Sequence, residues 1–348
     1  MEHRPRTTDR PATMADIAQQ LGISRQLVSI VMRDAPGASA ETRRRVRETA
    51  DELGFAPHTG ARTLRRTRSW TFGVVFVPSH PAEHEIVQSL YPLAAAHGYD
   101  VVLSAVTGTR GVQPAVDELL GHRCAAVLLI GSALDPAELE DLSGRVQIPL
   151  VAVGTAAGGT GHDVVRSDGR AGVAAGVEHL VSLGHREIAF VDLATMPAAA
   201  LRRAGYEQTM QRHELGTDVV LASGHYTDDA YFEESGSEAA HTLLARDEPP
   251  TAVMVPNDGS AVTLLLTLAR HGLQVPRDIS LVGYDDIPAA RLSAVELTTV
   301  RQDPELMARA AVDAAVRRID HPESDPLESI VDTSLVLRGS CAALRTDG

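Results

Sequence analysis

Residues 13–55, TMADIAQQLGISRQLVSIVMRDAPGASAETRRRVRETADELGF, carry the pattern that most limits how this chain can fold. Two short stretches of helical periodicity are separated by a tight turn containing Gly22, and a third helical stretch follows. Thr13 and Ser24 are expected to cap the first two helices, and Gly54 to end the third. Three short helices joined in this way predict a helix-turn-helix, a motif whose second helix enters the major groove of DNA.

The second of these helices has one apolar face and one face that is available to a partner. Val28, Val31 and Met32 recur at helical spacing, which predicts that this side packs against the other two helices. The opposite side would face DNA. We predict that the DNA contacts come from this side and from the helix starts: Thr13, Ser24, Arg25, Gln26, Ser29, Ile30 and Arg33.

The distribution of charge favours DNA as the partner of this segment. Up to residue 68 the chain has 13 Arg and 8 acidic residues, a net charge of +5, whereas the remainder has 19 Arg and 38 acidic residues, a net charge of −19. Because DNA would repel the acidic remainder, DNA binding must belong to the N-terminal segment. A small helical bundle that contacts another protein is the alternative, and it would not need this separation of charge.

From Trp70 onward, apolar runs alternate with stretches of helical pattern. These runs predict buried parallel strands: FGVVFVP, YDVVLSAV, CAAVLLIG, PLVAVG, EIAFVDL, DVVLAS, TAVMVP and ISLVGYDD. Buried strands joined by helices predict two doubly wound α/β lobes. A short strand at 297–301, a helix at 304–319 and a last strand at 330–337 would complete the lobes and carry the chain between them.

Local patterns that could indicate an enzyme or a metal site have simpler explanations. His80-Pro-Ala-Glu-His84 spells the HxxEH pattern of one zinc protease class, yet Pro81 fits better as the first residue of a helix. The glycines of GTAAGGTG lack the Lys-Ser/Thr of a phosphate-binding loop. Cys124 and Cys341 lack metal spacing and are too few for a disulfide framework. No catalytic, metal or cofactor site is predicted, and no apolar run is long enough to span a membrane.

The N-terminal segments TMADIAQQLGISRQLVSIVMRD and SAETRRRVRETADELGFAPHTGARTLRR resemble the LacI/GalR family of bacterial transcriptional regulators. Four later segments extend the resemblance across nearly the whole chain: EHLVSLGHREIAFVDL, RRAGY, PTAVMVPND and ISLVGYDDI. The family combines an N-terminal all-α helix-turn-helix domain with an α/β core of two doubly wound lobes, which is periplasmic-binding-protein-like and has a cleft between the lobes.

Composition, periodicity and the resemblance together imply a division of the chain into four parts. We expect a disordered arm at 1–11, the DNA-binding domain at 12–56, a hinge segment at 57–69 and the core at 70–345. Within the core, the N-terminal lobe would comprise 70–166 and 298–325. The C-terminal lobe would comprise 167–297 and 326–341.

In the resembling family, the hinge becomes a helix on DNA, and a Leu wedges between base pairs in the minor groove. The resemblance assigns this wedge to Leu64, with Ala61 and Arg62 beside it. Two positions depart from the family pattern. His58 replaces the usual Asn of the hinge, and Ile30 replaces an Arg that reads a base, so Ile30 can offer only apolar contact, most naturally to a thymine methyl.

The resemblance also implies effector-binding residues in the cleft: Asp168, Arg202, Tyr231, Asn257 and Asp285. Asn257 and Asp285 follow predicted strands, and Arg202 opens a helix after another strand. Open α/β sheets bind ligands at this edge. A guanidinium fork and several hydrogen-bond acceptors suit a polar, hydroxyl-rich ligand.

Two of these positions have features that set them apart. Asp168 is followed by Gly169, where the family usually has Asn. Tyr231 matches an aromatic residue that can stack on a sugar, but the surrounding segment GHYTDDAYFEESG contains an apparent insertion, so Tyr226 competes for the same role.

These features predict a cytoplasmic repressor of a catabolic operon that binds a palindromic operator. Two copies are needed because one helix-turn-helix reads only a half-site, and the lack of a heptad tail favours a homodimer over a tetramer. A small polar effector, most simply a sugar, would set the operator affinity, and no cofactor or membrane is expected to take part. Two alternatives remain: a sugar-binding signalling protein whose N-terminal helices contact protein, and a hydrolase on the same core.

Overall fold

The computed structural model of this chain describes residues 12–32, 35–55, 69–131, 134–154, 161–193, 196, 198–228 and 230–344. The chain divides into two units, Met1–Arg68 and Ser69–Gly348. The predicted arm at 1–11 and most of the predicted hinge lie outside the described residues. The same holds for five positions discussed above: Arg33, His58, Ala61, Arg62 and Leu64.

Three short helices form the described part of the first unit: α1 (Met14–Leu21), α2 (Arg25–Met32) and α3 (Ala40–Glu52). The Thr13 hydroxyl accepts from the Asp16 N–H and the Asp16 carboxylate accepts from the Thr13 N–H, so α1 starts with a capping box. Ser24 Oγ accepts from the Leu27 N–H at 3.1 Å. Gly22 ends α1 at a φ of 64°, a conformation that favours glycine. All three helices contribute to one buried cluster: Ile17, Ala18, Val28, Val31, Val46 and Ala50.

The second unit alternates strands and helices. Its strands are β1 (Thr71–Phe76), β2 (Asp100–Ala105), β3 (Ala126–Ile130), β4 (Leu150–Val153), β5 (Asp163–Ser167), β6 (Ile188–Asp192), β7 (Asp218–Leu221), β8 (Ala252–Met254), β9 (Ser280–Asp285), β10 (Thr298–Gln302), β11 (Glu328–Val331) and β12 (Thr333–Val336). Its helices are α4 (Pro81–Ala96), α5 (Val112–Gly121), α6 (Pro136–Arg145), α7 (Gly169–Ser182), α8 (Ala199–Arg212), α9 (Tyr231–Leu244), α10 (Asp258–Arg270) and α11 (Pro304–Asp320), with a 3₁₀ turn at Pro288–Arg291.

These strands form two six-stranded sheets, in the orders β11-β5-β4-β3-β1-β2 and β12-β10-β9-β8-β6-β7. Neighbouring strands are parallel, except that β10 and β12 are antiparallel. Phe72 and Val74 enter one buried cluster while Val75 enters another, because successive side chains of a strand point to opposite faces. Helices cover both faces of each sheet. This architecture confirms the predicted fold class.

We call the first sheet with its helices the first lobe, and the second sheet with its helices the second lobe. The chain passes between the lobes at three places: between β5 and α7, between β10 and α11, and between β11 and β12. Among the described residues, no helix has the length and apolar character needed to cross a membrane.

The strand β5 is absent from the sequence predictions because polar residues interrupt its apolar run. Its first residue, Asp163, is fully buried, and both carboxylate oxygens accept from Arg317 Nη2 at 2.8 Å. The Leu327 N–H also donates to Asp163, at 2.7 Å. This pairing offsets the cost of burying the charge, so a strand that begins with Asp can lie inside the sheet.

The predicted last strand at 330–337 and the predicted lobe boundaries are wrong in one respect. The segment forms two strands separated by Asp332, and these strands join different sheets: β11 pairs with β5, whereas β12 pairs with β10. As a result, residues 298–302 belong to the second sheet rather than the N-terminal lobe, and residues 328–331 belong to the first sheet rather than the C-terminal lobe. Periodicity along the chain does not report which sheet accepts a crossing strand.

Candidate functional site

The central strands of both sheets end at a cleft between the lobes. Its walls combine residues that follow β1, β3 and β4 of the first lobe with residues that follow β6, β7, β8 and β9 of the second lobe. Open α/β sheets bind ligands at this end of their strands. The polar side chains that line it include His80, Glu83, Arg202, Tyr226, Asn257, Asp285 and Gln302.

Arg202 lies in the first turn of α8 and is only 7% exposed. Its Nη1 donates to the backbone oxygen of Pro256, and its Cζ lies 3.8 Å from the centre of the Tyr284 ring. Nη2 lies 3.8 Å from Asp285 Oδ1. These contacts hold the guanidinium in one orientation, while Nε has no hydrogen-bond partner among the described residues.

Asp285 is the last residue of β9 and has a φ of 120°, which is rare for a residue other than glycine. Gln302 Nε2 donates to its Oδ1 at 2.5 Å. Burial raises the pKa of this carboxyl to about 6, and the Arg202 guanidinium and the Gln302 amide oppose that rise. A strained backbone and a perturbed carboxyl in a cleft are typical of functional positions.

Asn257 caps α10 and also lines the cleft. Its Oδ1 accepts from the Ser260 N–H at 2.7 Å, so the side-chain oxygen satisfies the first turn of the helix. Its Nδ2 lies 4.0 Å from Met196 Sδ, on another lining residue. The structure therefore places Arg202, Asn257 and Asp285 on one wall of the cleft.

Asp168 and Tyr231 occupy other places than those predicted. The Asp168 carboxyl accepts from the Ala171 N–H at 2.9 Å as the cap of α7, and Asp168 does not line the cleft. Tyr231 is 1% exposed and packs in a hydrophobic cluster of the second lobe. Tyr231 begins α9 with its ring turned into this cluster, whereas Tyr226 of the preceding loop and Phe232 line the cleft.

His80 and Glu83 also line the cleft, although no sequence pattern assigned them to it. The predicted role of Pro81 is confirmed, because Pro81 is the first residue of α4 and His80 is the cap position. Glu83 lies in the first turn and is buried, which raises the pKa of its carboxyl well above the ordinary range. Burial also lowers the pKa of His80 to about 4. The HxxEH pattern drew attention to these two residues, but among the described residues no group of His, Cys, Asp and Glu could hold a metal ion.

The exposed side of α2 is the candidate nucleic-acid interface of the first unit. Arg25 and Gln26 are exposed, and Ser29 and Ile30 are half-buried. Ile30 lies outside the buried cluster of the three helices, and two of its carbons would be 3.9 Å from a Cβ on Gly37. This side of α2 therefore offers a cation, an amide, a hydroxyl and an apolar group within two helical turns.

Comparison with known proteins gives matches to both units. A family model described as bacterial regulatory proteins, lacI family, matches residues 13–58, and a periplasmic binding protein-like domain matches residues 177–341. The HTH-type transcriptional repressor CytR of Escherichia coli (strain K12) is 29% identical over 338 residues, which cover 96% of this chain and 97% of CytR.

Two solved structures are also similar. The crystal structure of a LacI transcriptional regulator from a Rhodococcus species is 40% identical, has a TM-score of 0.73, and covers 78% of this chain and 98% of its own. The structure of the Lac repressor dimer bound to operator and the anti-inducer ONPF is 27% identical, has a TM-score of 0.78, and covers 96% of this chain and 100% of its own.

Proposed function

This chain belongs to the LacI family of bacterial regulatory proteins, and we propose that it represses a catabolic operon by binding a palindromic operator as a homodimer. The relatives named above are transcriptional regulators, not enzymes. We propose that a small polar effector in the interlobe cleft sets the operator affinity. The protein would act in the cytoplasm, because its operator lies there.

The observation that carries this proposal is that one chain combines a helix-turn-helix with a two-lobed core whose cleft is lined by polar side chains. In the helix-turn-helix, Val28 and Val31 are buried while Arg25 and Gln26 are exposed on α2. In the major groove, Arg can make a bidentate contact to guanine, and Gln can make one to adenine. One such helix reads a half-site, so a two-fold dimer on a palindrome is the simplest arrangement.

The chemistry of the cleft supports a polar effector. Arg202 and Asn257 offer donors, and Asp285 and Gln302 offer acceptors that can bind hydroxyl groups. Phe232 adds an aromatic ring. Apolar walls with a few placed polar groups are typical of small-molecule sites, and this combination fits a sugar or a sugar derivative.

The segment that would connect DNA binding to effector binding is also a proposal. We assign residues 57–69 to a hinge in which Leu64, beside Ala61 and Arg62, would wedge into the minor groove of the operator. A wedge of this kind unstacks one base step and bends the duplex, which allows more protein surface to contact DNA. An effector that favours one arrangement of the lobes would then change the affinity for DNA.

The DNA-binding proposal is tested by selecting sheared genomic DNA with the full-length protein at low salt. The wild type should enrich fragments that share a palindrome, and the double variant Arg25→Ala/Gln26→Ala should lose that enrichment. Arg270→Ala, which removes an exposed Arg from α10, is the matched control and should enrich the same fragments as the wild type. The proposal fails if the wild type enriches no fragment, with or without candidate ligands, or if the double variant behaves like the control.

The effector class is tested by thermal denaturation of the full-length protein with sugars, nucleosides and purines. A ligand present at about 100 times its Kd stabilises the folded protein by roughly 2.7 kcal/mol. A sugar or sugar derivative should give this shift. Stabilisation by nucleosides or purines alone would contradict the assignment of a sugar-like effector.

A further inference from the structure

Tyr226 lies in the loop between β7 and α9 of the second lobe, but its two hydrogen bonds go to the first lobe. Its hydroxyl donates to Glu83 Oε1 at 2.8 Å. Its backbone oxygen lies 2.6 Å from His80 Nε2, which must carry the proton because a carbonyl oxygen can only accept. Both partners are at the start of α4, so one residue joins the two walls of the cleft.

The His80 ring is inserted among aromatic rings of the second lobe. Its centroid lies 4.0 Å from that of Tyr226, 4.8 Å from that of Phe232 and 5.8 Å from that of Tyr231. Only 3% of His80 is exposed. The first lobe therefore contacts the second through a buried apolar surface as well as through hydrogen bonds.

Contacts within the first lobe fix the Glu83 carboxyl in the orientation that accepts from Tyr226. Its Oε2 accepts from the Val77 N–H at 2.8 Å, which leaves Oε1 for the tyrosine hydroxyl. The backbone of Gly131 passes so close that a Cβ there would lie 1.7 Å from Oε1, so only glycine leaves room for the carboxyl. An acceptor fixed in this way loses little entropy when the second lobe arrives.

The cavity enclosed by these contacts is small. It measures about 60 Å³, whereas pockets for small ligands usually measure roughly 300–1,000 Å³. The closed cleft leaves little room for a molecule of the size of a sugar, so we expect Tyr226 to move away from α4 or the two lobes to separate when such a molecule binds. Either movement breaks the bonds of Tyr226 to Glu83 and His80.

We propose that Tyr226, Glu83 and His80 form an interlobe clamp that holds the cleft closed and must release before an effector enters. This inference rests on the proposed effector site and adds its regulation. The clamp would make the closed arrangement a defined state, with its own free energy, against which the effector competes. The strength of the clamp would then set the effector concentration at which the regulator responds.

The clamp is tested by hydrogen–deuterium exchange of the full-length protein. Tyr226→Phe removes only the hydroxyl, and it should raise the exchange rate about fivefold in peptides from both walls, 77–86 and 218–226. Peptides from α7, which packs in a cluster that contains none of the three clamp residues, should exchange as in the wild type. Unchanged exchange in 77–86, or faster exchange confined to 218–226, would overturn the proposal, because a loop that is loosened only locally does not join the lobes.

A pair of variants at Glu83 keeps the test decisive if Tyr226→Phe does not fold. In Glu83→Gln, the amide oxygen can still accept from the Val77 N–H and the amide nitrogen can donate to the Tyr226 hydroxyl, so exchange should match the wild type. Glu83→Met removes both bonds and should show the faster exchange of both walls. Equal exchange in the two variants would contradict the clamp. The test uses neither DNA nor effector, so its failure would leave the proposed function standing.

Discussion

Single residues in the cleft illustrate how burial and pairing act against each other. Asp285 is taken out of water at the end of β9, and neither Arg202 at 3.8 Å nor the amide of Gln302 fully compensates for this. The pKa of its carboxyl is therefore raised to about 6 from an ordinary value of 3.8. A carboxyl in this state changes its charge near neutral pH, so its contribution to stability depends on pH.

The sign of this dependence follows from the direction of the pKa shift. Because the folded protein holds the proton more tightly than the unfolded chain, the stability that Asp285 contributes is fully present below about pH 4 and is lost as the pH rises through about 6. A rise of the pKa from 3.8 to about 6 corresponds to roughly 3 kcal/mol in the free energy of unfolding. Between about pH 4 and pH 7, the free energy of unfolding of the wild type should therefore fall by about this amount relative to that of Asp285→Asn. Denaturant titrations of both proteins across this range measure the difference, and parallel curves would refute the assignment.

Removal of cleft side chains should separate effector binding from DNA binding. Arg202→Ala and Asp285→Ala should abolish the effector response of operator binding, while the affinity without effector stays within about threefold, because neither change touches α2, the helix proposed to read DNA. Arg203→Ala is the matched control, since Arg203 pairs with Asp192 and Glu207 and does not line the cleft. Titrations of each variant with operator DNA, with and without effector, measure the two affinities. A wild-type response in both cleft variants would exclude these residues from the effector site.

Ile30 should give this protein an operator preference that differs from the commoner one. The LacI/GalR pattern that the sequence resembles implies an Arg at this position, which could donate two hydrogen bonds to guanine, whereas Ile can contact only apolar groups such as the thymine methyl. Ile30→Arg should therefore move selection toward guanine at one symmetric position of each half-site, with discrimination of roughly 1–3 kcal/mol. Selection from a randomised operator by wild type and variant tests this. An unchanged preference at every position would place Ile30 outside the DNA interface.

At the scale of helices and strands, the elements that could be predicted are those whose signals are local. Thr13, Asp16 and Gly22 cap α1 through contacts a few residues apart, so the sequence itself reveals the ends of the helix. The apolar runs of the central strands can also be recognised from the sequence, because both faces of these strands are buried. In contrast, β5 is held by Arg317, which lies 154 residues from Asp163. No local pattern reports a partner at such a distance.

The candidate site follows the same rule. Arg202, Asn257 and Asp285 are assigned to the cleft by the resemblance of the segments that contain them, and their places after apolar strands agree with that assignment. The bond from Tyr226 to Glu83 spans 143 residues and two lobes, so neither residue could be paired with the other in advance. The resemblance favours Tyr231 and leaves Tyr226 as a competitor, whereas in the structure the start of α9 packs Tyr231 into the core.

Close packing of helices α7 and α8 should depend on one glycine. A Cβ on Gly205 would lie 2.4 Å from the Arg170 backbone oxygen, so Gly205→Ala must push α8, which carries Arg202, away from α7. Overpacking of this kind lowers the free energy of unfolding by about 1–3 kcal/mol. This loss exceeds the stability that the higher helix propensity of alanine would add. Gly216→Ala, which meets no atom within 4 Å, is the control and should be close to neutral. Denaturant titration measures both, and equal stabilities would disprove the close contact.

On the scale of the whole molecule, charge divides the chain into a part that DNA attracts and a part that DNA repels. The first 68 residues carry a net charge of +5 and the remainder −19, out of a total of −14. A single basic segment on an acidic core would bind DNA weakly, so tight binding requires two segments on one duplex. The acidic cores would then limit binding to sites that engage both segments at once.

The most direct test is therefore a salt titration of the full-length protein on a duplex that carries the palindrome recovered by genomic selection, beside a duplex that carries one half-site. The affinity for the palindrome should fall steeply and linearly with salt on logarithmic axes, with a slope of about −0.9 for each phosphate contact, and the half-site should bind far more weakly. Equal affinity for both duplexes, or binding that does not respond to salt, would contradict a dimeric DNA-binding repressor.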